Sequence, residues 1–243
     1  MRESTVRRTC ATALALGLLA ATGPSPAARG QTPGQPRVAP GPSEPDWVAI
    51  LEGVYGLKMF DDLLNPVKTS PSATPGLFKK AGPGTVTFRP EMALGLEAVI
   101  RGGTYSPGGG DKAPETRPLW SYRYRNSGRD VETGSNLPPP LLEGSETTFD
   151  PGDGPFGLYV ANDQFQDSVF SEPSMVAAHN PRLAAQPYKV MVYPYRDPKT
   201  RELVPNSYLI GWEYSTNDDF QDVVCRIDNV VLVPAGGQGG SKP

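Results

Sequence analysis

The sequence predicts an all-β fold: an antiparallel β-sandwich or jelly roll with long Pro/Gly-rich loops. Three observations carry that expectation. Short stretches of alternating apolar and polar residues recur along the chain, each bounded by turn residues. The chain holds 28 Pro and 27 Gly, a density that interrupts long helices and supplies turns. Neither the strand–helix–strand rhythm of a parallel sheet nor an internal repeat is present.

The chain begins MRESTVRRTCATALALGLLAATGPSPA. Arg2, Arg7 and Arg8 precede a small apolar run over 9–22, and Ser25, Pro26 and Ala27 follow as a small-x-small cleavage site. This is the layout of a secretory signal peptide over 1–27, with an apolar run too short to span a membrane. Cys10 lacks the small-residue lead of a lipid-anchored cysteine. Residues 28–45, rich in Pro, Gly and Ala, read as a disordered linker, and 236–243 as a flexible tail. Between them 46–235 is the length of one domain. The expected location is secreted, periplasmic or extracellular. No later segment is apolar and long enough to span a membrane. A formal net charge of -3 argues against a nucleic-acid partner, which needs a basic surface. Loss of the signal leaves Cys225 without a disulfide partner, so the core must hold by itself.

Residues 46–64 suit a short helix or an irregular edge, because Gly53 and Gly56 weaken a helix. The Pro/Ser/Gly stretch 65–84 reads as a loop. Strands follow at 85–90 and within 93–108, the latter with Leu94, Leu96, Ala98 and Ile100 on one face. In 119–128, Trp120, Tyr122 and Tyr124 oppose Ser121, Arg123 and Arg125, a half-buried strand. Asp150 to Gly154 form a turn feeding a strand with Phe156, Leu158 and Val160 on one side. Residues 171–187 are polar, with one helical turn near 175–178. In 188–196, Val190 and Val192 oppose Met191, Tyr193 and Tyr195, while Pro194 marks an edge or bulge. Tyr208, Ile210, Trp212 and Tyr214 alternate with Leu209, Gly211 and Glu213. The run DVVCRIDNVVLV then reads as one closing strand.

The link before that strand, NDDFQD, gathers Asn217, Asp218, Asp219 and Asp222. Hard oxygens at such density suit Ca2+, which takes six to eight of them on a flexible loop. Asp150 and Asp153 form a second acidic turn that a sandwich could bring to the same end. The spacing is not that of an EF-hand, and Asn and Asp are also ordinary turn residues. Aromatic side chains are abundant. Rings on an exposed face stack on sugars, which makes Tyr105 in a glycine-rich loop, Tyr195 beside a proline, and Trp212 candidates for a polysaccharide or cell-surface glycan. Most of the other aromatics suit the core.

Catalytic signals are sparse. His179 is the single histidine, no serine sits in a nucleophile elbow, and a zinc-type His/Cys cluster is missing. Cys225 shares a strand face with Val223 and Ile227 and reads as packing. A glycosidase needs only two carboxylates, and Glu213, Glu143 and Glu146 are available, unpaired by spacing.

The stretch GWEYSTNDDFQDVVCRI resembles the end of a family of bacterial extracellular β-domains of unknown function. That family closes with Gly-aromatic-Glu-Asp, a short Gly/Asn/Asp spacer, Asp-x-Asp-aromatic-x-Asp and a Val-rich strand. Gly211, Trp212 and Glu213 match its opening, and Asn217, Asp219, Phe220 and Asp222 its acidic core, whereas Tyr214 stands where the family has aspartate. FGLYVANDQF, FSEP and YKVMVYPYR are similar to its middle, so the resemblance spans 149–233 and leaves 46–148 aside. It implies a secreted, calcium-associated surface domain with no settled activity. The sequence therefore predicts a non-catalytic binding or adhesion module, calcium-stabilised and glycan-binding. The alternatives are a small carbohydrate-active hydrolase and a structural envelope or matrix protein.

Overall fold

A computed structural model of the chain describes residues 46–58, 61–62, 73–94, 98–108, 112–124 and 138–234. The expected signal (1–27), linker (28–45) and tail (236–243) lie outside them, as do Leu96 and Arg125. Two antiparallel sheets pack together. The first has the order β11-β1-β6-β3-β4, with β7 also pairing with β6, and the second β5-β2-β10-β9-β8. The strands are β1 (Ala73–Lys80), β2 (Val86–Ala93), β3 (Ala98–Tyr105), β4 (Thr116–Tyr124), β5 (Thr148–Phe149), β6 (Phe156–Asn162), β7 (Ser168–Phe170), β8 (Val190–Arg196), β9 (Leu203–Trp212), β10 (Val223–Asp228) and β11 (Val230–Pro234). Among the described residues two short helices accompany them: α1 (Trp47–Ile50), continued by a wider π-helical turn over Leu51–Tyr55, and α2 (Pro173–His179).

Alternation explains the main core. Ile100, Trp120, Tyr122, Phe156, Leu158 and Val160 of the first sheet meet Phe88, Val190, Val192, Ile210, Trp212, Cys225 and Ile227 of the second. Apolar residues at every second position put one face of each strand inward. Trp120 stacks on Tyr122 and takes Phe88 edge-on from the opposite sheet, with centroids at 5.7 and 5.3 Å. Pro194 sits on β8, an edge strand, beside a bulge in its pairing with β9.

A second core lies on the outer face of the β8–β9–β10–β2 sheet. There Trp47, Ile50, Leu51, Tyr55 and Leu57 cover Met92, Met191, Tyr193, Tyr195, Leu209 and Val224. Asp46 starts α1 by accepting the Val48 N–H at 2.9 Å. Arg201 closes its far end by donating to the Gly53 and Val54 carbonyls, both at 2.6 Å. Those bonds satisfy carbonyls that a helix terminus leaves without partners. Where the helix lies the sheet is covered on both faces, which is why Val190 to Tyr193 and Leu209 to Trp212 are buried at every position.

Three sequence expectations are corrected. The stretch 65–84 holds a strand, β1, disguised by Pro75 and Gly76. Gly76 has φ 72°, and a Cβ there would lie 2.1 Å from the Ser171 carbonyl oxygen, so only glycine fits this irregular strand. Leu94 joins the outer core whereas Ala98 and Ile100 join the inner one, because Leu94 follows β2 of the second sheet while the other two belong to β3 of the first. The closing strand is two strands in different sheets. Asn229, at φ 62°, turns the chain out of β10 and into β11, and its side chain donates to the Thr85 carbonyl at 3.1 Å. Asparagine tolerates the left-handed region better than the valines around it.

Candidate functional site

The site is built where β9 ends. Alternation sends Trp212 inward and Glu213 to the other face. The Glu213 N–H donates to the Lys189 carbonyl at 3.0 Å, continuing the ladder past the Val190–Trp212 pair. The chain then makes a tight excursion to β10. Asp218 and Phe220 both adopt positive φ, 56° and 59°, and Phe220 is buried. A bulky residue in that region is strained and persists only when its surroundings hold it.

Carboxylates do the holding. Glu213 Oε1 accepts from the Ser215 N–H at 2.6 Å, and Oε2 from the Asp219 N–H at 2.8 Å. Asp222 Oδ2 accepts from the Tyr214 N–H at 2.9 Å. Asn217 donates its side-chain amide to Asp219 Oδ2. Ligand atoms of Glu213, Asp219 and Asp222 lie within 4.8 Å of one another. Their residues are 0%, 0% and 4% exposed. Burial first, then the negative charge of Glu213 and of Asp219, pushes the Asp222 carboxyl well above the usual carboxylate range. Gly211 shapes the back of the site: a Cβ there would lie 2.6 Å from the Phe220 carbonyl oxygen and 2.8 Å from the Trp47 ring.

The predicted ligands scatter. Asp219 and Asp222 converge, and Glu213, a hydrolase candidate by residue type and part of the family-like Gly-aromatic-Glu opening, completes the group. Asn217 serves Asp219 rather than the centre. Asp218 pairs with Lys189, a buried lysine that the sequence reading passed over. Asp150 belongs elsewhere: it bonds Lys80 at 2.9 Å and its own turn at Gly152, and these bonds hold its carboxyl below the usual range. Asp153 is exposed in a shallow depression with Lys80, Gly82 and Pro83. Asp150 is engaged by Lys80 of β1 and by its own turn, and the carboxyl group that converges among the described residues holds Glu213, Asp219 and Asp222 without Asp150 or Asp153.

The three aromatics expected on an exposed face are buried. Tyr105 is 2% exposed, Tyr195 3% and Trp212 0%. Tyr105 donates its hydroxyl to Glu172 at 2.8 Å and meets Phe170 edge-on. Tyr195 lies under Tyr55, with the Arg226 guanidinium 3.9 Å from its ring. Trp212 fills the core between the sheets. None offers a ring face to a sugar. His179 ends α2 edge-on to Phe170 with Nε2 buried.

Hard oxygens in this number could hold a cation, with Glu213, Asp219 and Asp222 as its ligands. The fit is partial for calcium, because both Glu213 oxygens and one of Asp222 already accept backbone N–H groups. Comparison with models of known protein families, with curated proteins and with solved structures gives no match to this chain. The family resemblance of 149–233 therefore rests on its quoted residues alone. Among the described residues no helix is long and apolar enough to cross a membrane.

Proposed function

We propose that the chain is a structural, non-catalytic β-sandwich module of an exported protein, a component of the envelope or matrix. In this reading the acidic cluster locks the closing loop and does not process a substrate. One observation carries it: the carboxyls of Glu213, Asp219 and Asp222 are buried, and both oxygens of Glu213 are committed to backbone N–H groups of the loop itself. A hydrolytic pair must reach a glycosidic bond, and these groups face their own chain.

Glu213→Gln tests the assignment. Glutamine offers one oxygen where two N–H groups need acceptors, so its amide NH2 faces a donor. The variant is expected to lose about 1–3 kcal/mol of stability in thermal or urea unfolding. Wild type and variant are both expected to release no reducing sugar from a polysaccharide panel. Sugar release that Glu213→Gln abolishes, with unchanged stability, would install the hydrolase instead.

A second reading has its own support, the approach of three carboxyl ligand atoms to within 4.8 Å. Here a divalent cation, Ca2+ among them, replaces the proton that the cluster otherwise keeps and stabilises the same loop. Melting in Ca2+, in Mg2+ and in chelator separates the two, since a native-state ligand must raise the melting temperature.

A further inference from the structure

Beside the carboxyl cluster lies a second buried ionic group whose chemistry the lock does not use. The Lys189 side chain is 1% exposed, and its Nζ contacts Oδ1 of Asp218, itself 16% exposed. We propose that Lys189 and Asp218 join as an intramolecular isopeptide bond, stapling the start of β8 to the closing loop.

Backbone geometry presents both partners. Lys189 precedes β8, and its carbonyl is held by the Glu213 N–H at 3.0 Å. The Glu213 carboxylate in turn takes the N–H of Asp219, the neighbour of Asp218, at 2.8 Å. One residue therefore ties down the backbone on the amine side and on the carboxyl side. Asp218 is held at φ 56°, a conformation that aspartate tolerates and that this bonding fixes. Such placement replaces a bimolecular encounter by a unimolecular one, which lowers the entropic barrier to condensation.

The step balances without any co-reactant. A proton passes from the Lys189 ammonium to the Asp218 carboxylate, giving an amine and a carboxylic acid. The Nζ lone pair attacks Cγ, and a C–N bond forms. The Cγ–Oδ1 bond then breaks, and that oxygen leaves as water with its own proton and one from Nζ. Nothing is oxidised or reduced. An ammonium held out of water and a partly exposed carboxylate are replaced by one neutral amide. Taking ions out of water is costly, and an amide removes that cost. An ammonium also brings three donors, of which Asp218 engages one, whereas the amide brings a single N–H.

A tryptic map of the unfolded full chain by mass spectrometry reads the bond directly and does not depend on whether the cluster binds a cation. The expected result is one branched species joining the peptides that contain Lys189 and Asp218, lighter than their sum by one water, with no cleavage after Lys189. Lys189→Arg and Asp218→Ala should each give linear peptides of sequence mass. A wild-type map with a linear peptide ending at Lys189 and an unmodified Asp218 peptide overturns the proposal. A loss of water that persists in Lys189→Arg overturns it equally, because the water then comes from another pair.

Discussion

Asp222 holds its carboxyl in the least hospitable place of the site, buried between Glu213 and Asp219. Its affinity for a proton is therefore higher in the folded chain than in the unfolded one, where an aspartate titrates near 3.9. As pH rises above about 4, the unfolded state gives up this proton first, and the fold loses stability until the native group also ionises. Each pKa unit of upward shift amounts to about 1.4 kcal/mol. Asp222→Asn removes this slope while keeping an acceptor for the Tyr214 N–H. The expected outcome is a variant whose stability relative to wild type improves as pH is raised from about 4 to about 8, read from urea midpoints. A parallel dependence in both proteins would remove Asp222 as the source. Glu172 is raised by burial as well, and its bond from Tyr105 acts the other way. Tyr105→Phe leaves that carboxyl buried without its hydroxyl donor, a loss expected at about 1–3 kcal/mol in the same measurement.

At the scale of elements, α1 is the smallest piece with the largest reach. Trp47 packs edge-on against Tyr193 at 6.3 Å and backs the glycine that precedes the site. Trp47→Ala is expected to cost about 3–5 kcal/mol, seen as a melting temperature lower by roughly 10 °C in a domain of this size. It should also loosen the loop, with faster amide exchange at Asp219 and Phe220 than at β3, which α1 does not cover. The strands of the sandwich were legible because alternation survives wherever one face is buried, as in β4, where Trp120 and Tyr122 are buried and Arg123 is exposed. Legibility failed where a residue's neighbours come from far along the chain. β1 hid behind Pro75 and Gly76, since its irregularity answers Ser171, nearly a hundred positions later. The corner at Asn229 hid between two valine-rich stretches, because both continue the same apolar pattern and no proline or glycine marks the change of sheet. Half of the site could be read in advance: an acidic link before a core strand. Its centre could not, because Glu213 joins it through a turn whose positive φ angles at Asp218 and Phe220 no local pattern announces.

The whole molecule carries Cys225 as a free buried thiol, so, among the described residues, no disulfide fastens one sheet to the other. Cohesion falls to the two cores and to the connections that cross between sheets, the Asn229 corner among them. In the closing loop the buried Asp222 carboxyl holds its proton strongly, so a proton and a cation compete for the same oxygens. That competition has a sign. If protons alone serve, Ca2+ leaves the melting temperature unchanged at every pH. A cation that binds must displace the proton from Asp222, so its stabilisation grows as pH rises, opposite to the slope of the metal-free protein. At a concentration about 100 times its dissociation constant, a cation adds about 2.7 kcal/mol. In a domain of this size that is roughly 5–10 °C. Melting curves with and without Ca2+ at about pH 5 and about pH 8 therefore distinguish the cases. A shift at the higher pH that shrinks at the lower, and vanishes in Asp222→Asn, assigns the cation to this cluster. A shift that is the same at both pH values, or survives that substitution, places the ion elsewhere and returns the loop to its hydrogen bonds.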